Sequence, residues 1–554
     1  PQTPNPKTQT PNPVFVGVEM LMYESGKRKK SRMQERREKG GDEDDESVLK
    51  EWCLRVGVDL SLYFIVLPTY LSVYSRYRPM VCGLPESMLD PSQWSEQHDS
   101  PIEQRFRAMA PAEVEALAVE LFDESLGTKR SGELVYDRWS SLVKSREGKR
   151  LGQPQLVRDG LGFESRFESG NLDKAFRIGE REYELLLSPD LGSDKHRHWF
   201  FFQVFGLEPN VRYRFRLSNL SKTDSRYNSG LIPLSFCPAR GRYSRVGTRV
   251  FQVSNAVLGG DAAQASLFFD AEFPRGTSSV YFANGFPYPL ARLLRLERAL
   301  PFSSPRALIR RRVIGSTRLG QELTSYVISD PSSSGIRVRV AIAGRVHPGE
   351  TVASLVLERL AILSIGDSPL AAALRGKVEL HLFPMINPDG VALGNQRCGA
   401  SVVDLNRTYN DPSHPEPSAI KAALRGLRES QGPPIALFLD VHGHGRKLNC
   451  FTYSNPAKET PFMVYLRKHV SFFSIDDSTF GVSKEKESSA RVVVWKELGL
   501  RAHTLEVGYA GCSIGTFAGC HHEKRSVDEL AKGILLALLE LHDTETNASE
   551  DLKN

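Results

Sequence analysis

Cysteine is scarce and unpatterned in this chain of 554 residues: seven, at 53, 82, 237, 398, 450, 512 and 520, with no CxxC and no regular spacing. An odd, scattered set is poor material for a disulfide framework and points to a reducing compartment. Long apolar runs are missing too. The longest uncharged one, "LSLYFIVLPTYLSVYS" at 60–75, has 16 residues and contains Pro68. A membrane-spanning helix takes roughly 20 apolar residues, so this run reads as a buried or irregular segment. No secretory signal opens the chain, which starts at Pro1 rather than Met and so gives little basis for a targeting assignment. Nor is there the charge excess of a nucleic-acid-binding protein: the formal net charge is +6, with 40% apolar and 25% charged residues. That balance suits a globular protein with a mildly basic surface and an acidic substrate.

The length allows two to four domains. Residues 1–50 read as a disordered tail, with the Pro/Thr/Asn theme "PQTPNPKTQTPNP" and a basic-then-acidic block, "KRKKSRMQERREKGGDEDDE". Residues 51–155 form an extension of unknown role. It is partly helical, since "PAEVEALAVELFDE" (111–124) places Val114, Leu117, Ala118 and Leu121 on one helix face. From 156 to 290 the texture changes to short aromatic strands such as "EYELLLSPD", "HWFFFQVFGL" and "VRYRFRLSNL" separated by turns, the pattern of an antiparallel β-sandwich. Residues 291–545 alternate strand-like runs ("VRVAIAG", "VELHLFPMI", "PIALFLDVHG", "RAHTLEVG") with helical ones. That alternation calls for an α/β domain with a mixed, largely parallel central sheet, and residues 546–554 are left as a tail.

Chemistry in such folds collects where strands end. His347 and Glu350 stand three apart in "RVHPGE" just past "VRVAIAG", and His442 closes a second apolar strand in "FLDVHGHG", 95 residues on. Hydrolytic zinc sites commonly take two His and one Glu and leave a fourth position open. Asp440 stands two residues before His442, where it could accept a hydrogen bond from a ligand. On spacing alone, His444 competes with His442, and Glu350 reads equally well as a carboxylate favouring a helix N-terminus.

Six blocks in order narrow these readings. "GRVHPGET", "NPDGVALGNQRC", "DLNR", "DVHGHGRKLNCFTY", "SKEKESSARVVVWKELGL" and "HTLE", preceded by "FESRFESGNLDKAFRI" and "YRFRLSNLSKTDSRYNSGLIP", resemble the cytosolic carboxypeptidase family of zinc metallocarboxypeptidases. The resemblance covers about 160–542. It implies that His347, Glu350 and His442 hold one Zn²⁺, that Glu506 is the general base, and that Arg397 polarises the scissile carbonyl. It further implies that Asn406 and Arg407 clamp the substrate's terminal carboxylate and that Arg491 faces the side chain of the departing residue. Family members remove glutamates from polyglutamate side chains or acidic tails of tubulin and other proteins. The resemblance therefore implies a cytoplasmic protein with access to the cytoskeleton, acidic polypeptide tails as partners, and neither nucleic acid nor membrane span.

Arg491 is the only charged residue in "SSARVVVW", which reads as strand, and an arginine buried there needs an anionic partner. Four positions depart from the family's usual residues: Gly445 for Ser, Ser454 for Gly, Val402 near a common Gly, and Pro289 for Thr. The tyrosine that digestive carboxypeptidases use near the terminal clamp has no clear counterpart between 467 and 505. Two rival readings are a tubulin-tail-binding pseudoenzyme and a zinc deacylase of small N-acyl amino acids. The full set of expected residues argues against the first, and "DLNR", "HTLE" and the upstream β-domain against the second.

Overall fold

Alternation in "EYELLL" and "VRYRFRL" becomes strand with one face inward: Tyr183, Leu185 and Leu187 of Glu182–Leu187 are buried, as are Tyr213, Phe215 and Leu217 of Arg212–Leu220. In the computed structural model both strands lie in a six-stranded sheet that packs on a five-stranded one containing Phe201–Phe205 and Ser279–Ala283. Phe200, Phe202, Phe215, Phe269 and Phe282 fill the space between the sheets, as expected for a sandwich. Pairing is antiparallel throughout except between Glu182–Leu187 and Arg212–Leu220, which run parallel.

The structure describes residues 84–89, 132–138 and 160–551, apart from 194, 223–225, 303–307, 336–337 and 456–457. All of them fall in one unit, Arg76–Asn554. The expected tail at 1–50, the apolar run at 60–75 and the helix at 111–124 lie outside the described residues. Two pieces from before 156 pack on the sandwich: Glu133–Asp137 pairs with Leu172–Arg177 at a sheet edge, and Glu86–Leu89 buries Met88 and Leu89 near Phe167 and Trp199.

The downstream domain is built on eight strands, numbered here from its start: β1 (Ile309–Ser316), β2 (Glu322–Ile328), β3 (Val338–Gly344), β4 (Val378–Phe383), β5 (Ile435–His444), β6 (Cys450–Ser454), β7 (Thr479–Phe480) and β8 (Ala502–Gly508). Their order is β1-β2-β4-β3-β5-β8-β6-β7. The four central strands β4-β3-β5-β8 are parallel, and antiparallel pairs flank them. Strands buried on both faces lack polar alternation. In β3, Val340 and Ile342 pack into one core and Ala341 and Ala343 into the other. In β5, Leu439 and Val441 take the first face. Phe438 joins the second core, and period 2 carries Asp440 and His442 along that same second face.

The helices are α1 (Leu290–Ala299), α2 (Thr351–Ile365), α3 (Pro369–Lys377), α4 (Pro388–Leu393), α5 (Pro415–Glu429), α6 (Pro461–His469), α7 (Ala490–Leu498) and α8 (Lys524–Asp551). The last continues through most of what reads as a tail in sequence. Among the described residues no helix is long and apolar enough to cross a membrane.

An ion pair locks α1 to α2. Arg292 donates through Nε (3.1 Å) and Nη2 (2.8 Å) to Glu358, both side chains are 1% exposed, and the guanidinium lies 4.9 Å from the Tyr288 ring centroid. Removing one partner strands a buried charge, at about 3–5 kcal/mol, whereas replacing both with apolar residues is often neutral. Urea titration is therefore expected to show Arg292→Met losing about that much and Arg292→Met/Glu358→Leu losing less. A double variant worse than the single would contradict this account.

Candidate metal centre and substrate cavity

"RVHPGE" is a turn built to hold two side chains. Arg345 takes a left-handed φ of +61°, which for a side chain other than glycine costs about 1–3 kcal/mol. Its guanidinium folds back, donating to the Pro348 carbonyl (2.7 Å) and Ser354 Oγ (3.0 Å), and burial pushes its pKa down to about 9. Asn387 Nδ2 donates to the Val346 carbonyl at 3.0 Å. So fixed, the turn places His347 and Glu350 at the carboxyl end of β3, with Glu350 at the N-cap of α2. Glu350 does not cap the helix through its side chain; its Oε2 accepts from the Gly443 amide at 2.9 Å instead.

Parallel β3 and β5 bring His442 alongside. Metal-ligating atoms of His347, Glu350 and His442 all lie within 4.8 Å of one another, and all three residues are buried. His347 Nδ1 is 2.8 Å from Glu350 Oε1, His442 Nδ1 is 2.9 Å from Glu350 Oε2, and the two Nδ1 atoms are 3.2 Å apart. The opposite ring nitrogens each meet a carboxylate: His347 Nε2 meets Asp404 Oδ1 at 2.9 Å and His442 Nε2 meets Asp440 Oδ2 at 2.8 Å. Carboxylate-backed imidazoles are the usual second layer of a zinc site, because they fix the tautomer that turns a lone pair inward. Two like nitrogens at 3.2 Å beside one carboxylate form a donor set that a divalent cation satisfies. Zinc fits these residues.

The charges agree with that fit. Burial pushes the Glu350 carboxyl up, but the two imidazoles hold it well below the usual carboxylate range. Burial pushes the His442 pKa down, yet Asp440 and Glu350 hold it well above the usual value. Asp404 is driven far down against burial by His347 and Arg397. His444, the competing ligand, lines the cavity over the cluster but is not among the converging ligand residues. Its Nδ1 accepts from the Arg446 (3.1 Å) and Lys447 (2.9 Å) amides, and its ring packs edge-on to Phe451.

A cavity of about 300 Å³ opens over this cluster, and every sequence-expected site residue lines it: Glu506, Arg397, Asn406, Arg407 and Arg491 besides the three above. Glu506 is the register partner of His442 on β8. Its pKa is pushed up to about 7: burial raises it, His442 draws it back and Glu350 raises it again. Arg397 is held by Asp404 through Nε (2.8 Å) and Nη2 (2.7 Å). Arg407 Nη1 donates to the Asn406 carbonyl at 2.7 Å. Asn406 lies 3.3 Å from His442 through Nδ2 and accepts from the Ala490 amide through Oδ1.

Arg491 departs from the strand expected for "SSARVVVW": it sits in the first turn of α7. Three consecutive valines favour strand by intrinsic propensity, but Val492, Val493 and Val494 are all buried, so tertiary packing decides. The side chain itself is nearly buried, with Arg491 4% exposed. Its described hydrogen-bond acceptors, Asn455 Oδ1 (2.5 Å) and the Gly481 carbonyl (3.3 Å), are both neutral, and burial lowers its pKa to about 10.

Sequence reasoning missed several groups. Asp404, the first residue of "DLNR", has no role legible from sequence, although it joins Arg397 to His347. Tyr509, just past "HTLE", lines the cavity as a phenol beyond the 467–505 window. Lys222 reaches the cavity from the upstream domain, Arg446 from the turn after β5 and Lys486 from the short 3-10 helix Lys484–Lys486. Of the departures, Val402 adopts φ +67°, which explains why glycine suits that place. A Cβ at Gly445 would stand 3.5 Å from Tyr509 and 3.8 Å from Lys222 Nζ, so serine would fit there as well.

Fold and site together define the zinc carboxypeptidase class, and residues 303–471 match the zinc carboxypeptidase family. A metallo-carboxypeptidase from Burkholderia cenocepacia shares the fold, with a TM-score of 0.58 and 21% identity over 70% of this chain and 99% of that one. A metallo-carboxypeptidase from Pseudomonas aeruginosa, solved with (2-guanidinoethylmercapto)succinic acid, is similar at 26% identity and a TM-score of 0.56 over 69% of this chain and 99% of that one. Cytosolic carboxypeptidase 1 of Homo sapiens is 33% identical over 431 residues, 69% of this chain and 35% of that protein. The chain belongs to the cytosolic carboxypeptidase family. It spans little more than a third of the length of that relative.

Proposed function

We propose that the protein is a zinc-dependent metallocarboxypeptidase that removes C-terminal or side-chain glutamates from acidic protein tails, polyglutamylated tubulin among them, in the cytoplasm and at the cytoskeleton. The observation that carries this reading is the convergence of His347, Glu350 and His442, each imidazole backed by a carboxylate, beside Glu506 in a cation-lined cavity. The three residues would hold one zinc ion per chain. Zinc bound there supplies Lewis acidity and lowers the pKa of a water to about 7, which gives amide hydrolysis a nucleophile at neutral pH.

The chain's own groups do the rest. Glu506 accepts the proton of the attacking water on its carboxylate and delivers it to the leaving amine nitrogen, a task suited to a group that exchanges protons near neutrality. Arg397 donates from its guanidinium to the oxygen that becomes negative as the carbonyl is attacked, and Asp404 keeps those donors oriented. Arg407 offers the terminal carboxylate a planar fork and Asn406 an amide. Lys222, Arg446 and Lys486 add positive charge around them, which favours acidic chains over neutral ones.

Glutamate preference rests on Arg491. Among the described residues the buried guanidinium hydrogen-bonds only neutral acceptors and forms no ion pair, and the departing side-chain carboxylate supplies one. Arg491→Ala is expected to lower kcat/KM for peptides ending in glutamate by about 10²-fold or more while changing it little for an apolar terminus, on the scale of a lost charge-assisted pair. An equal drop for both termini would remove Arg491 from the pocket. Mass spectrometry of a glutamylated tubulin tail and a synthetic peptide panel, incubated with zinc-loaded protein, tests the whole reading. Loss of terminal glutamates supports it, and unchanged peptides throughout contradict it.

A further inference from the structure

The Arg397 loop, 394–404, runs without regular secondary structure between α4 and the short turn Leu405–Arg407. Backbone amides in such a segment must find acceptors when buried. Here three consecutive ones, of Gln396, Arg397 and Cys398, all donate to the carboxylate of Asp190, at 2.5, 2.7 and 2.7 Å. Asp190 belongs to the upstream sandwich, in the loop after the strand Glu182–Leu187, and is 2% exposed. Three amides aimed at one anion form a nest that fixes the backbone from which the Arg397 side chain departs. Asp404 holds the other end of that side chain, and the Gln396 carbonyl accepts from the Gly349 amide at 2.9 Å, inside the turn bearing His347 and Glu350.

We infer that Asp190 is a positioning residue for Arg397, so that the sandwich domain completes the reaction site rather than merely shaping its entrance. Asp190 does not line the cavity and touches the chemistry only through the loop it grips. The inference rests on the carbonyl-polarising role proposed for Arg397. Charge-assisted bonds are about twice as strong as neutral ones, so loss of the anion loosens all three amides together. A guanidinium displaced by about 1 Å forfeits as much as 10²-fold in rate without leaving the site.

The test is a double-mutant cycle on the full, zinc-loaded chain with a glutamate-terminated peptide. Asp190→Asn is expected to lower kcat by about 10- to 100-fold with KM changed by less than about 2-fold and zinc content unchanged, because the loss falls in the transition state. In an Arg397→Ala background the same substitution should cost less than about 2-fold more, since its target is already gone. A phosphinic peptide mimicking the tetrahedral state should bind Asp190→Asn more weakly by about the same factor as kcat falls, when measured by calorimetry. Ser169→Ala is the control, because it removes a bond across the same domain seam (Ser169 Oγ to the Val391 carbonyl, 2.8 Å) without touching 396–398. Its kcat should match wild type. If Asp190→Asn is insoluble, Asp190→Ser carries the same cycle. Unchanged kcat, or equal losses with and without Arg397, would overturn the inference and leave the carboxypeptidase reading standing. An inactive wild type would overturn that reading, and this inference with it.

Discussion

Glu506→Gln is expected to keep its metal and lose turnover by about 10²- to 10⁴-fold, the usual worth of a positioned general base. Glutamine has the same shape but cannot take a proton, so the substitution isolates proton transfer from packing. Glu506 is not one of the three converging ligand residues, which is why zinc content should not fall. Its placement opposite His442 in the β5–β8 register, and its pKa of about 7 under burial, both suit a group that cycles between acid and base during one turnover. The loss should appear in kcat with KM nearly constant, since the proton moves only in the transition state. A variant as active as wild type, or one stripped of metal, would remove Glu506 from this role.

Loss of a ligand residue should be more severe. His442→Ala removes one of the two inward-facing ring nitrogens, leaves Glu350 with His347 as its one imidazole, and takes from the buried Asp440 its imidazole partner. Substituting a residue that only orients a ligand costs about 10- to 100-fold in metal affinity. Asp440→Asn should fall in that range and His442→Ala well beyond it, with hydrolysis undetectable. Competition against a chelator of known affinity reads both. Equal zinc affinities for the two variants would show that His442 is not a ligand.

Local pattern carries the metal ligands further than it carries the residues around them. "VRVAIAG" and "FLDVHGHG" are apolar runs that stop at a histidine, and a parallel sheet must bring such strand ends to one edge, so the His347–His442 meeting follows from periodicity and connection rules. The choice of His442 over His444 did not follow from spacing. Period 2 puts both histidines on one face of β5, and position along the strand separates them: His442 lies opposite Glu506, whereas His444, the last residue of the strand, lies opposite Gly508 and accepts from the turn amides of Arg446 and Lys447. Arg491 stands out in sequence as a lone charge among apolar residues, but valine's preference for strand misplaces it, because burial of the start of α7 overrides that preference. Asp190 and Lys222 were illegible for a different reason. Each acts across a domain seam, and no periodicity within "LLLSPD" or "SNLSKT" records what the other domain places opposite.

The central claim is that two imidazoles and a carboxylate from separate strand ends hold one zinc ion. Anomalous diffraction recorded above and below the zinc absorption edge, from crystals grown with stoichiometric zinc, tests it most directly. The account predicts a single strong peak per chain, within bonding distance of His347 Nδ1, His442 Nδ1 and the Glu350 carboxylate. A map with no peak among these three residues, or with its peak at another cluster, would contradict it.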